Sequence, residues 1–136
     1  MYKAIMVPID LAHAEKGKAM IEIAKRLSDE AKRIVLIHVM QDIPSFIAAD
    51  IPGDIIKKAK EDAHSDLEDM AKAAGVKADV EVRSGPPAAT ILAAAEEKGT
   101  DLIIIASHQP GLQDYLLGST ASRVVRHATC SVLVVR

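Results

Sequence analysis

Short apolar runs alternate with longer amphipathic stretches along this chain. Ala4 to Ile9 is an apolar run that predicts a buried strand. Met20, Ile23, Ala24 and Leu27 then recur at the spacing of one helix face. Ile34 to Met40 predicts a second apolar strand, and Gln41 to Gly53, with Pro44, Pro52 and Gly53, a loop. Ile56, Ala59, Ala63, Leu67, Met70 and Ala74 mark a long amphipathic helix stopped at Gly75. Val76 to Val82 alternates apolar and polar, as a half-exposed strand does. Gly85-Pro86-Pro87 breaks the chain before an Ala-rich helix over Ala88 to Lys98, ended by Gly99. Leu102 to Ala106 predicts a fully buried strand, Thr120 to His127 a helix, and Val132 to Val135 a last strand.

This succession reads βαβαβαβαβ. Strands apolar on both sides and separated by helices imply an α/β fold, with a parallel sheet covered on both faces. Right-handed crossovers leave a few open, doubly wound topologies. In such sheets a ligand sits beyond the carboxyl ends of the strands, where the strand order reverses. Pro8-Ile9-Asp10, His38-Val39-Met40 and Ala106-Ser107-His108 end strands in this way. No internal repeat, low-complexity segment or second domain is visible, so residues 1–136 are expected to form one domain.

Composition removes several alternatives. Aromatics make up 2% of the chain, so Ile, Val, Leu, Ala and Met must build the core, and base-stacking platforms for nucleic acid are not available. A net charge of −2 without a basic block argues against binding a phosphate backbone, but leaves room for one mononucleotide. Cys130 is the only cysteine, which rules out an internal disulfide. The opening residues do not read as a signal peptide and no apolar stretch is long enough to span a membrane, so a cytoplasmic location is the expectation.

Gly118-Ser119-Thr120 is the best local candidate for phosphate binding. It follows a buried strand and a polar loop and opens a helix. Helix N-termini present unpaired N–H groups and a positive dipole end, and glycine admits an anion close to the backbone. The plainer reading is a Ser/Thr helix cap. Asp10 is either a ligand to a ribose hydroxyl or a cation, or a turn or cap residue for the helix after it. Val39 can offer its backbone to an adenine edge, or be ordinary core. His108 sits in the candidate loop, as a phosphate contact or a solvated loop residue, while His38 and His127 read as structural or partly exposed. No histidine or cysteine spacing indicates a metal site, and Cys130 reads as buried rather than nucleophilic. Neither a G-x-x-x-x-G-K-[ST] loop, a G-x-G-x-x-G fingerprint nor a G-x-S-x-G elbow is present.

The chain resembles the universal stress proteins over essentially its whole length. The residues that carry the resemblance are Ile5-Met-Val-Pro-Ile-Asp10, the His38-Val39 strand end, Gly85-Pro86, Asp101-Leu-Ile-Ile-Ile-Ala-Ser-His108, Gly118-Ser119 and Ser131-Val-Leu-Val-Val135, in the family's order. The tail is similar to the bacterial F/G-type branch, in which Ser-His-x-Pro precedes Tyr-Leu-Leu-Gly-Ser. The family's nucleotide motif is G-x2-G-x9-G-[S/T]. Here Ala106 stands at the first glycine and Gln109 at the second, and one residue is missing before Gly118-Ser119.

The resemblance implies a Rossmann-like fold of the adenine nucleotide alpha hydrolase type, with a five-stranded sheet in the order 3-2-1-4-5. It implies ATP as ligand, with magnesium bridging the phosphates. By position, Pro8, Ile9, Asp10 and Val39 would frame adenine and ribose. Ile105, Ala106, His108 and Gln109 would line the ribose and α-phosphate, and Gly118, Ser119 and Thr120 would hold phosphates. It also implies a homodimer paired through Ser131 to Val135, or a tetramer built from two such dimers, and a regulatory role in the stress response exerted through protein partners. The alternatives are a slow ATPase and a nucleotide-free protein–protein interaction module. The altered glycines make the second of these credible, while ATP remains the favoured ligand.

Overall fold

In the computed structural model, residues 1–107 and 117–136 are described, with the backbone alone at 30–32. The strands are β1 (Tyr2–Pro8), β2 (Ser28–Met40), β3 (Ala78–Ser84), β4 (Leu102–Ala106) and β5 (Ser131–Val135). The helices are α1 (Ala14–Leu27), α2 (Ser45–Ala48), α3 (Gly53–Ala73), α4 (Pro87–Glu97) and α5 (Ser119–His127). All strand pairs are parallel, and the five-stranded sheet has the order β3-β2-β1-β4-β5. The order reverses between β1 and β4, so two neighbouring strands send their following chains to opposite faces.

Alternation along the central strands builds two cores. Ile5, Val7 and Ile9 point to one face with Ile34, Leu36, Leu102 and Ile104, and pack against Met20, Ile21 and Ala24 of α1 and Leu67, Met70 and Ala71 of α3. Met6, Val35, Ile37, Ile103 and Ile105 point to the other, against Ile91, Ala94 and Ala95 of α4 and Ala121 and Val124 of α5. The central strands are therefore apolar at successive positions because each position meets a helix layer. β3, at one edge, is half-buried along most of its length, in keeping with its alternating sequence.

The expected elements are all present, with some changes of extent. β2 begins at Ser28, well before Ile34. Its opening, Ser28-Asp-Glu-Ala-Lys-Arg33, is mostly polar, so no apolar run announces it, and only Tyr2↔Ser28 pairs there before the ladder resumes at Ala4↔Arg33. The 41–53 segment contains the short helix α2 after Pro44. A 3-10 turn, Leu11–His13, intervenes between Asp10 and α1. α3 stops at Gly75, whose φ of 67° suits a residue without a side chain.

Gly85 shapes the turn from β3 into α4. Its φ is +143°, its N–H donates to the Met40 carbonyl at 2.9 Å, and a Cβ there would stand 2.7 Å from Thr90 Oγ1. Gly85→Ala is therefore expected to lower stability by roughly 2 kcal/mol through backbone strain and the Thr90 contact. A urea titration against the parent protein measures this, and an unchanged midpoint would mean that the turn re-forms without strain.

Candidate functional site

A cavity of about 340 Å³ opens above the β1/β4 reversal. The carboxyl ends of β1, β2 and β4 form its floor through Pro8, Ile9, Ile37, Val39, Ile105 and Ala106. α1 supplies one wall, and the starts of α4 and α5 the other. Ligand cavities commonly enclose roughly 300–1,000 Å³. Pro8, Ile9, Asp10, Val39, Ile105, Ala106, Gly118, Ser119 and Thr120 all line this one space. His108 and Gln109 lie outside the described residues.

The start of α5 removes the cap reading of Ser119 and Thr120. Gly118 is the residue before the first helical turn, and Ser119 is already helical, so no side chain caps this end. The first hydrogen bond of the helix is from Ser122 N–H to the Gly118 carbonyl, at 2.9 Å. The N–H groups of Ser119, Thr120 and Ala121 precede it, at the positive end of the helix dipole and on the cavity wall. Gly118 has φ −63° and ψ 157°, a conformation open to any residue. Gly118 is buried and lines the cavity.

Asp10 meets its plainer reading in part. Oδ1 accepts the Ala12 N–H at 3.0 Å, capping the 3-10 turn, and Oδ2 lies 2.9 Å from His13 Nδ1. The residue still lines the cavity. His38 Nδ1 is 2.8 Å from the Ile9 carbonyl oxygen, so that nitrogen carries the proton and donates. This bond ties the end of β2 to the chain leaving β1. Gly17 lets α1 approach the same place: a Cβ there would lie 3.2 Å from Ile9 Cδ1 and 2.9 Å from Met70 Cε.

Sequence reasoning did not anticipate His13, Lys16, Gly17 or Met20 of the α1 segment, nor Gln41, Pro87 and Ile91. The i, i+3, i+4, i+7 spacing of His13, Lys16, Gly17 and Met20 behind Asp10 was the available signal, since it places these residues together on the helix face nearest the strand end. Cys130 lies apart, half-buried beside a smaller hollow of about 140 Å³. Burial pushes its thiol up from the usual range, the Asp101 carboxylate adds to this, and backbone N–H groups partly offset both. A raised pKa leaves little thiolate, as expected for a residue read as non-nucleophilic. Among the described residues no group of three His, Cys, Asp or Glu side chains comes together to hold a metal ion. Among them, too, no helix is long and apolar enough to cross a membrane.

A sequence model of the universal stress protein family matches residues 1–136. The chain belongs to this family. Universal stress protein MJ0531 of Methanocaldococcus jannaschii is 34% identical over 141 residues, covering 100% of this chain and 83% of that protein. Universal stress protein G of Shigella flexneri is 32% identical over 142 residues, covering 100% of both, consistent with the F/G-type branch of the universal stress proteins. The solved structure of protein MJ0577 superposes with a TM-score of 0.82 at 28% identity, covering 99% of this chain and 96% of that one. Two more distant universal stress protein structures share the fold. One, in complex with cAMP, has 22% identity, a TM-score of 0.65 and coverage of 99% and 97%. The other, from Archaeoglobus fulgidus in complex with dAMP, has 19% identity, a TM-score of 0.68 and coverage of 99% and 98%.

Proposed function

We propose that this universal stress protein binds an adenine nucleotide, ATP foremost, in the cavity above β1 and β4, and acts as a regulator that reports nucleotide to protein partners. The observation that carries this reading is the uncapped N-terminus of α5 on the wall of a cavity floored by strand ends. Gly118, Ser119 and Thr120 would hold phosphate oxygens through backbone N–H groups and hydroxyls. Pro8, Ile9, Asp10 and Val39 would frame the adenine and ribose. Ile105 and Ala106 would line the ribose and α-phosphate, together with His108 and Gln109. Adenine nucleotides in two family members of the same fold support the choice of ligand class.

The lining fits the nucleotide better than it fits a dedicated cation site. Asp10 is the sole carboxylate among the described lining residues, and both its oxygens already have partners in Ala12 and His13. Magnesium would therefore be held by phosphate oxygens and water, which is its usual habit. The same engagement of Asp10 favours a binding protein over an ATPase, since a carboxylate held by a backbone N–H and an imidazole is poorly placed to orient an attacking water. β5 is an outer strand whose Val132–Val135 remain half-buried, and Ser131 to Val135 is proposed as the surface through which two copies pair.

Native mass spectrometry of the purified protein, followed by titration with ATP and magnesium, tests the reading. Nucleotide at about one per chain, retained or acquired, is the expected result. A chain that stays empty throughout would replace it with the protein–protein module.

A further inference from the structure

Among the residues that line the cavity, Asp10, His13, Lys16 and His38 carry titratable side chains. Asp10 and His13 hold each other at 2.9 Å, and His38 is committed to the Ile9 carbonyl. Lys16 differs from them. It is half-buried, yet it makes no ion pair or hydrogen bond with any described residue. Other lysines of α1 are engaged: Lys18 with Glu15 at 3.1 Å, and Lys25 with Glu22 at 3.3 Å and the Ala74 carbonyl at 2.7 Å. A long cationic side chain lies along an apolar wall by its methylene stem while its ammonium stays at the polar mouth. Here the wall belongs to a cavity.

Lys16 stands on α1, which packs on one face of the sheet, whereas α5 packs on the other. Among the described lining residues, apart from His13 beside Asp10, positive charge thus comes from two separate places, the start of α5 and the Lys16 ammonium. The N–H groups of α5 can serve the phosphate nearest the ribose, and they do so equally for a mono-, di- or triphosphate. Each further phosphate adds negative charge in a space that already holds Asp10, and a second cation offsets that repulsion. Resting on the nucleotide reading of this cavity, we propose that Lys16 is a specificity-determining residue: it contacts the terminal phosphates, so that the site prefers ADP and ATP to AMP.

Lys16→Met keeps the stem and removes the charge, while Lys16→Arg keeps a charge on a stem of similar reach. Calorimetric titration of the full chain with adenosine, AMP, ADP and ATP separates the contributions. Lys16→Met is expected to weaken ATP and ADP on the order of 10-fold, the scale of one charge-assisted hydrogen bond, with AMP and adenosine little changed. Lys16→Arg should retain most of the affinity for ATP. A parallel loss of AMP and ATP, or an unchanged affinity for ATP, overturns the proposal while the nucleotide reading stands. Failure of the parent protein to bind adenosine, AMP, ADP or ATP overturns both.

Discussion

Gly118→Val is expected to weaken ATP binding on the order of 100-fold, the loss of one or two charge-assisted hydrogen bonds to phosphate. The far-ultraviolet circular dichroism should stay close to that of the parent, with only a modest fall in melting temperature from a branched residue at a buried N-cap. The separation between the two effects follows from the backbone. Gly118 sits at φ −63° and ψ 157°, in the extended region that valine itself favours, so the substitution imposes no backbone strain. What it adds is a branched side chain where Gly118 lines the cavity, beside the uncapped N–H groups of Ser119, Thr120 and Ala121. An anion must come within hydrogen-bond distance of those groups to gain from them. Ser119→Ala removes a hydroxyl but leaves the N–H groups accessible, and should cost far less. If Gly118→Val binds ATP as the parent does, the phosphates lie elsewhere and the role given to α5 is wrong.

Asp101→Ala is expected to lower stability by roughly 2 kcal/mol, about 8 °C in melting temperature, although Asp101 is no part of the cavity lining. Its carboxylate accepts the Lys3 N–H at 2.9 Å and the Ala4 N–H at 3.0 Å, and its own N–H donates to the Ala4 carbonyl at 2.8 Å. The register pairs between β1 and β4 are Ile5↔Leu102 and Met6↔Ile103. Asp101 therefore extends a short ladder with a side chain, and it does so at the pair of strands whose far ends hold the cavity. Removing the carboxylate leaves the partly buried Ala4 N–H without its acceptor, which is the costly case. Asp101→Asn should lie between the two, because an amide has one carbonyl oxygen for two donors. Thermal denaturation of the three proteins gives the order directly. An Asp101→Ala protein as stable as the parent would show that the β1–β4 pairing does not depend on this contact.

Surface charge at the opposite edge of the sheet has a different weight. Arg83 is held by Glu97 at 2.5 Å and by Glu81, and these two carboxylates raise its guanidinium above the usual range. Glu97 is correspondingly lowered, chiefly by its hydrogen bond to Arg83. Lys98 Nζ lies 3.3 Å from Glu81 Oε2, yet that buried oxygen has no hydrogen bond of good geometry. The Coulombic attraction is present at that separation and the directional bond is not. The cluster fastens α4 to β3, and through them the Gly85 turn.

The order of strands and helices, the parallel sheet and the cavity's place in it were all legible from the sequence. Each follows from local periodicity combined with the handedness of crossovers, which leave few arrangements open to a βα chain. Leu102-Ile-Ile-Ile-Ala106 reads as buried on both sides because both sides are. The family was legible too, since its motifs fall in order from Ile5 to Val135. Polar residues were harder to assign, because their roles depend on partners distant in the sequence. Asp101 reads as the start of a strand, and only the fold brings it to Lys3 and Ala4. His38 reads as structural, and the fold shows which carbonyl it holds. Ser119 could equally have been a cap, until the helix was seen to begin one residue earlier than expected, leaving Gly118 outside it. Lys16 shares a helix face with His13, Gly17 and Met20, but its sequence neighbours do not say what that face meets. Its distinction arises because α1 and α5, on opposite faces of the sheet, both border the cavity over the place where the strand order reverses. Local sequence sets what each segment becomes, whereas a charge acquires its role from what the tertiary structure brings within a few ångströms of it.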